Sequence, residues 1–357
     1  MNSSVRAARR PSLELEYLRG TELAARSPSW WDCVLGVVAF GAAAAIGCTP
    51  DIPVAPVSLY VLGESAAAYE VWRLDEPLHS GSIGRVRYRK GSHALFGCIV
   101  SPEPDGTGAR SDNPLALLEL TSAAYTEIFA ALRQLGYPHL LRIWNYFAAI
   151  NHETELGERY RQFNSARHEA FRLNQREVEG NVPAASALGS ERGSPLVIYF
   201  LAGLAPARAV ENPRQLSAYR YPREYGPHSP IFSRASIADP AVGAPLFISG
   251  TASIVGHQSV HAGDAAAQTR EAVANIAALV EAANEAAGPG AYSVEALRYK
   301  AYVRNAQDLA AIRAELGGGL AAAHPITYLQ ADICRSELLV EIEAAGAPRP
   351  NGGAGRV

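Results

Sequence analysis

Four segments of the chain carry the residue types of acid–base and anion-binding chemistry. The densest, Ser217 to Arg234 (SAYRYPREYGPHSPIFSR), holds three Tyr, four Arg or His and three Pro in eighteen residues. Pro222, Pro227 and Pro230 fix its backbone, and its arginines offer planar forks suited to carboxylates. It reads as an anion-binding loop or as a rigid surface connection. A second segment, Phe247 to His261 (FISGTASIVGHQSVH), starts with strand alternation and continues through small residues. There Gly250, Thr251, Ala252 and Ser253 permit close approach of a ligand to the backbone, and His257 with Ser259 offers a proton-transfer pair; a tight corner is the plain alternative. The third is a helix over 158–173, on which Tyr160, Asn164 and Arg167 recur at spacings of four and three and share one face, either toward a ligand or toward solvent. The fourth is LLVEIEA near the C-terminus, where period-two alternation puts Glu337, Leu339, Glu341 and Glu343 on one side of a strand. A carboxylate from that strand turned into a closed, partly apolar pocket has a raised pKa and can exchange protons with a substrate.

These segments must be positioned by a scaffold, and the scaffold reads as an internal duplication. Residues 115–135 have helical periodicity, end at Gly136 and lead into the strand-like 142–151; residues 265–287 repeat this, ending at Gly288 before 298–307. Each copy continues into a second helix, 158–173 and 306–317, and then into strand-like runs at 195–203 and 325–344. The expected architecture is α+β, two units each made of a mixed sheet with two helices on one face. The polar stretch 176–195 reads as a loop inside the first unit. The units divide near Glu211 to Pro213, giving 1–212 and 213–345, with 346–357 as a disordered tail.

A chain of 357 residues with 48% hydrophobic content accommodates two such cores. Its net charge of −3 and dispersed Lys and Arg form no basic stripe, which argues against nucleic acid or an anionic membrane as partner and leaves a small anionic substrate. Cys33, Cys48, Cys98 and Cys334 form no CxxC pair and no His–Cys cluster, so no metal is expected and a reducing cytoplasm fits. The apolar run 33–48 falls short of the roughly 20 residues that span a bilayer and reads as a buried strand and turn. No GxGxxG fingerprint is present.

Together, RIWNYFAAIN (142–151), ERYRQFNSARHEAF (158–171), AYRYPREYGPHSPIFSRA (218–235), FISGTASIVGH (247–257) and CRSELLVEIEA (334–344) resemble the chorismatase family, the chorismate hydrolases and hydroxybenzoate synthases of secondary metabolism, among them antibiotic biosynthesis. Residues 1–110 carry less of the resemblance. It implies two fused units of the YjgF or RidA kind, no cofactor, and chorismate as substrate, with monomer and trimer both open. Carried onto this sequence, it makes Tyr160, Arg167, Tyr221 and Arg234 substrate contacts and Glu341 the residue that handles the proton. Arg161, Tyr219, Thr251, Ala252, Ser253 and His257 are further candidates. A small residue and a nearby cysteine mark family members that aromatise the ring, and alanine in both places marks the hydrolases; Gly250 and Cys334 stand there in this chain, which implies 3-hydroxybenzoate and pyruvate as products. Cys334 and Glu341 are seven residues apart and point to opposite faces of an unbroken strand, so a turn near Arg335 is required for both to reach one pocket. The alternatives are a hydrolase yielding 3,4-dihydroxycyclohexa-1,5-dienoate, an imine deaminase like the small relatives with Arg304 as its carboxylate clamp, and a metabolite-binding scaffold without turnover.

Overall fold

The computed structural model describes residues 12–41, 48–63, 67–103, 115–317, 320 and 324–349. Most of the expected tail, 350–357, lies outside the described residues, as does 42–47, where the turn after the first apolar strand was expected.

The chain begins with β1 (Leu13–Arg19), a short helix α1 (Gly20–Ala24), β2 (Val34–Gly41), β3 (Val54–Val57), β4 (Tyr60–Val61) and β5 (Ala67–Leu74). The first unit follows as β6 (His79–Ile83), β7 (Val86–Lys90), β8 (Ala94–Ser101), α2 (Ala116–Leu135), β9 (His139–Ala148), a hairpin of β10 (Glu153–Thr154) and β11 (Gly157–Glu158), α3 (Arg159–Leu173), β12 (Ala184–Ser190) and β13 (Leu196–Gly203). The second runs β14 (Arg208–Val210), β15 (Ala235–Ile237), β16 (Leu246–Ala252), a hairpin of β17 (Ile254–Val255) and β18 (Gln258–Ser259), α4 (Ala265–Ala287), β19 (Arg298–Val303), α5 (Leu309–Gly317), β20 (Thr327–Gln330), β21 (Asp332–Ile333) and β22 (Val340–Gly346).

The duplication is visible in strand order. One sheet runs β21-β12-β9-β13-β8-β7-β6 and the other β14-β15-β16-β22-β19-β20-β4. The segments β12-β9-β13-β8-β7 and β20-β19-β22-β16-β15 correspond strand for strand, and in each the crossover through the second helix makes one parallel pair, β9 with β12 and β19 with β20. The α+β class with two helices on one face of each mixed sheet is thus present. The far edge of each core is completed from outside it, by β21 in one case and β4 in the other.

Two expectations are corrected. The stretch 176–195 is not all loop, because Ala184–Ser190 (AASALGS) is the strand β12, paired with β9 on one side and β21 on the other. Its small residues resemble a linker, but they let β16 of the other unit come close: Ser249 Oγ accepts from Ala185 N at 2.9 Å, and Gly250 N donates to Ser186 Oγ at 3.0 Å. Likewise Glu337 and Leu339 precede β22, so only Glu341 and Glu343 share its inward face; Glu337 instead accepts a bond from Ser259 in the turn before it.

Period-two alternation divides each sheet. In β9, Ile143 and Phe147 join the core beneath α2 and α3, whereas Trp144 and Tyr146 face the opposite way. In β22, Val340, Ile342 and Ala344 face α4 and α5, leaving Glu341 and Glu343 on the helix-free side. The helix-free faces meet each other and one face of the four-stranded sheet β1-β5-β2-β3 in a single core. Gly136, at φ 75°, ends α2 in the left-handed conformation that any other residue adopts at a cost, turning the chain into β9.

Trp72 of β5 touches all three sheets, its ring 5.9 Å from Trp144 of β9 and 5.9 Å from Phe247 of β16. Trp72→Ala is expected to lower the unfolding free energy by about 3–5 kcal/mol in chemical denaturation. A loss under about 1 kcal/mol would mean that the N-terminal sheet is not part of the common core.

Candidate active site

A cavity of about 440 Å³ lies on the seam between the two units. Helix α3 contributes Tyr160, Arg161, Asn164 and Arg167; β12 contributes Ser186; the Pro-rich loop contributes Tyr221, Tyr225 and Arg234; β16 contributes Gly250 and Ala252. The turn before β22 adds Cys334 and Arg335, and β22 adds Glu341. A turn at 334–337 separates β21 from β22, so the strand break that the Cys334–Glu341 spacing required is there and both side chains reach the same space.

Asn164 and Glu337 line this cavity, and of the thirteen site residues that the family resemblance supplied, Glu341, Tyr160, Arg167, Tyr221, Arg234, Gly250, Cys334, Arg161 and Ala252 line it together. The other four stand behind it. Tyr219 packs on the core under α2 and α3, Thr251 donates back to Ser249 O at 2.8 Å, Ser253 donates to Val260 O at 2.9 Å, and His257 supports the wall through its carbonyl.

Four arginines and several aromatic rings line the cavity, beside the carboxyl groups of Glu153, Glu158, Glu224, Glu337 and Glu341. Arg167 is only 3% exposed; its guanidinium lies 5.0 Å from the Phe171 ring centroid and 5.4 Å from that of Tyr125, and its Nε and Nη2 have no hydrogen-bond partner among the described residues. Arg234 is held by Leu216 O at 2.6 Å and the Tyr221 hydroxyl at 2.7 Å, leaving its Nε unpartnered. Arg335 rests on Tyr225, with its guanidinium carbon 4.0 Å from the ring centroid, donates to His257 O at 2.9 Å and Ser259 Oγ at 3.0 Å, and keeps Nη2 free. A buried donor without a partner costs about 1–3 kcal/mol. Arg167, Arg234 and Arg335 all line the cavity, and guanidinium groups suit a small polycarboxylate.

Glu341 is the acid in this setting. It is 4% exposed and has no ion-pair partner among the described residues; burial, then the charge of Glu343, raises its pKa to about 8 against the opposing pull of Arg142, Arg234 and Arg304. At neutral pH it is a carboxylic acid, able to give a proton. Gly250 sits where the β16–β22 register shifts, between Ile248 and Thr251, and a Cβ placed on it falls 1.9 Å from Glu341 Oε1. The carboxyl group occupies space that only glycine leaves open. Burial, with Glu341 close by, pushes the Cys334 thiol to about 12, so it stays a neutral thiol rather than a nucleophile. Burial and the neighbouring Cys334 hold the Tyr160 phenol well above its usual range, so it stays a hydrogen-bond donor.

Residues 70–202 match the family model described as chorismatase FkbO/Hyg5-like, N-terminal. A 3-hydroxybenzoate synthase of Streptomyces hygroscopicus is 38% identical over 283 residues, which cover 77% of this chain and 80% of that protein. A chorismatase of Streptomyces rapamycinicus is 35% identical over 350 residues, 94% of this chain and 99% of its own. The chain belongs to the chorismatase family. A solved chorismatase structure superposes with a TM-score of 0.82 at 30% identity, covering 94% of this chain and 98% of that one.

Within this chorismatase-family chain, Arg335, Tyr225 and Ser186 line the cavity although sequence reasoning passed over them. Arg335 follows Cys334 directly and was within reach; Ser186 was hidden because β12 read as loop. Arg304, the clamp of the deaminase alternative, does not line the cavity. Its guanidinium is engaged by Leu338 O at 2.7 Å, Asp332 Oδ1 at 2.7 Å, Ile333 O and Arg335 O at 2.9 Å, and Asn151 Oδ1 at 3.2 Å, so that it braces the turn carrying Cys334 and Arg335.

The raised pKa of Glu341 has a consequence for stability. The folded state keeps this proton up to about pH 8, whereas an unfolded glutamate releases it near 4.5. Between these values the folded chain binds more protons, so this group lowers stability as pH rises, by at most roughly 1.4 kcal/mol per pH unit. Glu341→Gln is accordingly expected to gain stability over the parent between pH 5 and pH 8 in urea titrations. A difference that does not change with pH would contradict the buried acid.

Proposed function

We propose that this chain converts chorismate to 3-hydroxybenzoate and pyruvate by cofactor-free acid–base elimination of the enolpyruvyl group. In this reading Arg167 and Arg234 bind the two carboxylates, with the Tyr160 and Tyr221 phenols as further substrate contacts. Glu341 delivers its proton to the enolpyruvyl methylene, and the guanidinium groups of Arg167 and Arg234 stabilise the charge that develops as the ether oxygen departs. With water excluded, the ring hydroxyl assists departure, a ring proton is lost, and the two products together contain every atom of chorismate. Admission of water instead leaves the dihydroxycyclohexadiene carboxylate of the hydrolases, whose sum with pyruvate exceeds chorismate by one water.

The observation that carries the choice of product is the clash between a Cβ at position 250 and the Glu341 carboxyl group. An alanine there forces the acid to a different place, which supports Gly250, with Cys334 beside the same acid, as the product-selecting pair. The 38% identical relative named 3-hydroxybenzoate synthase is in keeping with this. The imine-deaminase alternative loses its clamp, because Arg304 is spent on the turn. All the named site residues come from one chain. The four cysteines are free thiols, as suits a cytoplasmic enzyme.

Incubation of the purified protein with chorismate and no added cofactor is expected to yield pyruvate and 3-hydroxybenzoate in equal amounts by mass spectrometry. A ring product one water heavier would make the chain a hydrolase, and unconsumed chorismate would remove the reading. For Gly250→Ala combined with Cys334→Ala, the expectation is a shift of the ring product toward the hydrolysed diol; an unchanged ratio would dismiss both residues as selectors.

A further inference from the structure

Directly behind Glu341, between the three sheets, lies a closed set of four buried charges. Glu343 Oε1 is 2.8 Å from Lys300 Nζ and accepts from Trp144 Nε1 at 2.8 Å; its Oε2 accepts from Arg142 Nη2 at 3.0 Å and from Ser186 Oγ at 2.8 Å. Lys300 also meets Glu70 at 2.5 Å, and Glu70 accepts from Trp72 Nε1 at 2.8 Å and the Tyr199 hydroxyl at 3.1 Å. Both oxygens of Glu343 are thus satisfied by groups from β9, β12 and β19. Two cations and two anions cancel, and no cation of this set is left over for another carboxylate.

We propose that Glu343, linked through Ser186 to Gly250, is a positioning residue that holds the Glu341 carboxyl group in place and in its acid form. The inference rests on the reading of Glu341 as proton donor and adds what makes it one. Glu341 and Glu343 project from the same face of β22 and are both buried, so ionising Glu341 puts two like charges side by side with little solvent to screen them. The other groups that face Glu341 are Arg142 from β9, Arg234 from the Pro-rich loop, Arg304 after β19, Tyr160 from α3 and Cys334 from the turn. Arg142 is bound to Glu343, Arg304 to the turn, and Arg234 donates to Tyr221 and a carbonyl, while Tyr160 and Cys334 stay neutral. Ser186 makes the second link. Its Oγ donates to Glu343, and accepts from Arg142 at 2.6 Å and from the backbone N–H of Gly250 at 3.0 Å, the residue against which Glu341 Oε1 lies. The charge cluster therefore sets the position of the glycine that makes room for the acid.

The test is the pH profile of kcat/KM for chorismate in the full-length protein. Glu343→Gln removes the like charge and leaves the cluster net positive, so the basic limb is expected to move to lower pH by about one unit or more; Lys300→Met leaves it net negative and is expected to move the limb upward. Shifts of opposite sign are not produced by a loss of packing, which lowers the whole profile without displacing it. A limb that stays in place, or moves the same way in both folded variants, would overturn the inference. If circular dichroism finds Glu343→Gln unfolded, Glu70→Gln, on the far side of Lys300, replaces it with a smaller downward shift expected. If Lys300→Met is the unfolded one, Glu70→Gln is run beside Glu343→Gln and both limbs are expected to move down, that of Glu343→Gln the further. An unmoved limb in either counts equally against the proposal. Glu341→Gln run alongside separates the two levels: parent-like turnover in that variant sinks the proton-donor reading itself, whereas an inactive Glu341→Gln with unmoved limbs elsewhere sinks only the role of Glu343.

Discussion

The ion cluster of Arg142, Glu343, Lys300 and Glu70 is the constraint on which the rest of this molecule depends. It takes one charge from each of β9, β22, β19 and β5, and so ties both units and the N-terminal sheet to one another. Removing one partner of such a buried pair typically costs 3–5 kcal/mol, because the other is left uncompensated in a dry interior. The same demand fixes register: a slip of one residue in β22 would carry Glu343 beneath the helices, among Ile342 and its apolar neighbours, and away from Lys300 and Arg142. Indole and phenol groups complete the arrangement, with Trp144 stacked on Tyr199 at 4.5 Å and the Tyr146 and Tyr302 hydroxyls bonded across the seam at 2.5 Å.

Once the seam is fixed, the cavity follows. Glu341 is carried by the same strand face as Glu343 but one pleat further toward the opening, where the cations are already engaged. The Pro-rich loop is pinned to α3 by His228, which stacks on His168 at 4.5 Å and meets Ser165 Oγ at 3.2 Å. Tyr221 and Arg234 are thereby held opposite Tyr160 and Arg167. Carboxylate-binding groups, contributed by both units, thus converge on one buried acid, an arrangement that neither unit supplies alone.

Much of this was legible in the sequence, for physical reasons that differ by element. Helices α2, α3 and α4 showed their helical spacing, α2 and α4 also their terminating glycines, and the order of elements in the duplication carried through to the sheets. The loop 217–234 stood out because prolines and arginines are poor core residues. Strand β12 escaped because AASALGS has neither bulk nor alternation, its composition being set by the close passage of β16. The N-terminal four-stranded sheet was hidden for another reason: β2 reads as a buried strand, but its partners are chosen by pairing across distant segments. Lys300 is the clearest limit. A lysine in RYKAYV defaults to solvent, and its burial makes sense only beside Glu70, 230 residues away in the chain.

The central claim is that Glu341 is an uncharged carboxylic acid at neutral pH, in a site built to keep it so. The most direct measurement is the infrared stretch of a protonated carboxyl group, followed with pH in the parent protein and subtracted from that of Glu341→Gln. The account predicts a band present at pH 7, lost with a midpoint near 8 and missing in the variant. Absence of that band at pH 7, or its loss in the ordinary glutamate range near 4.5, would contradict it.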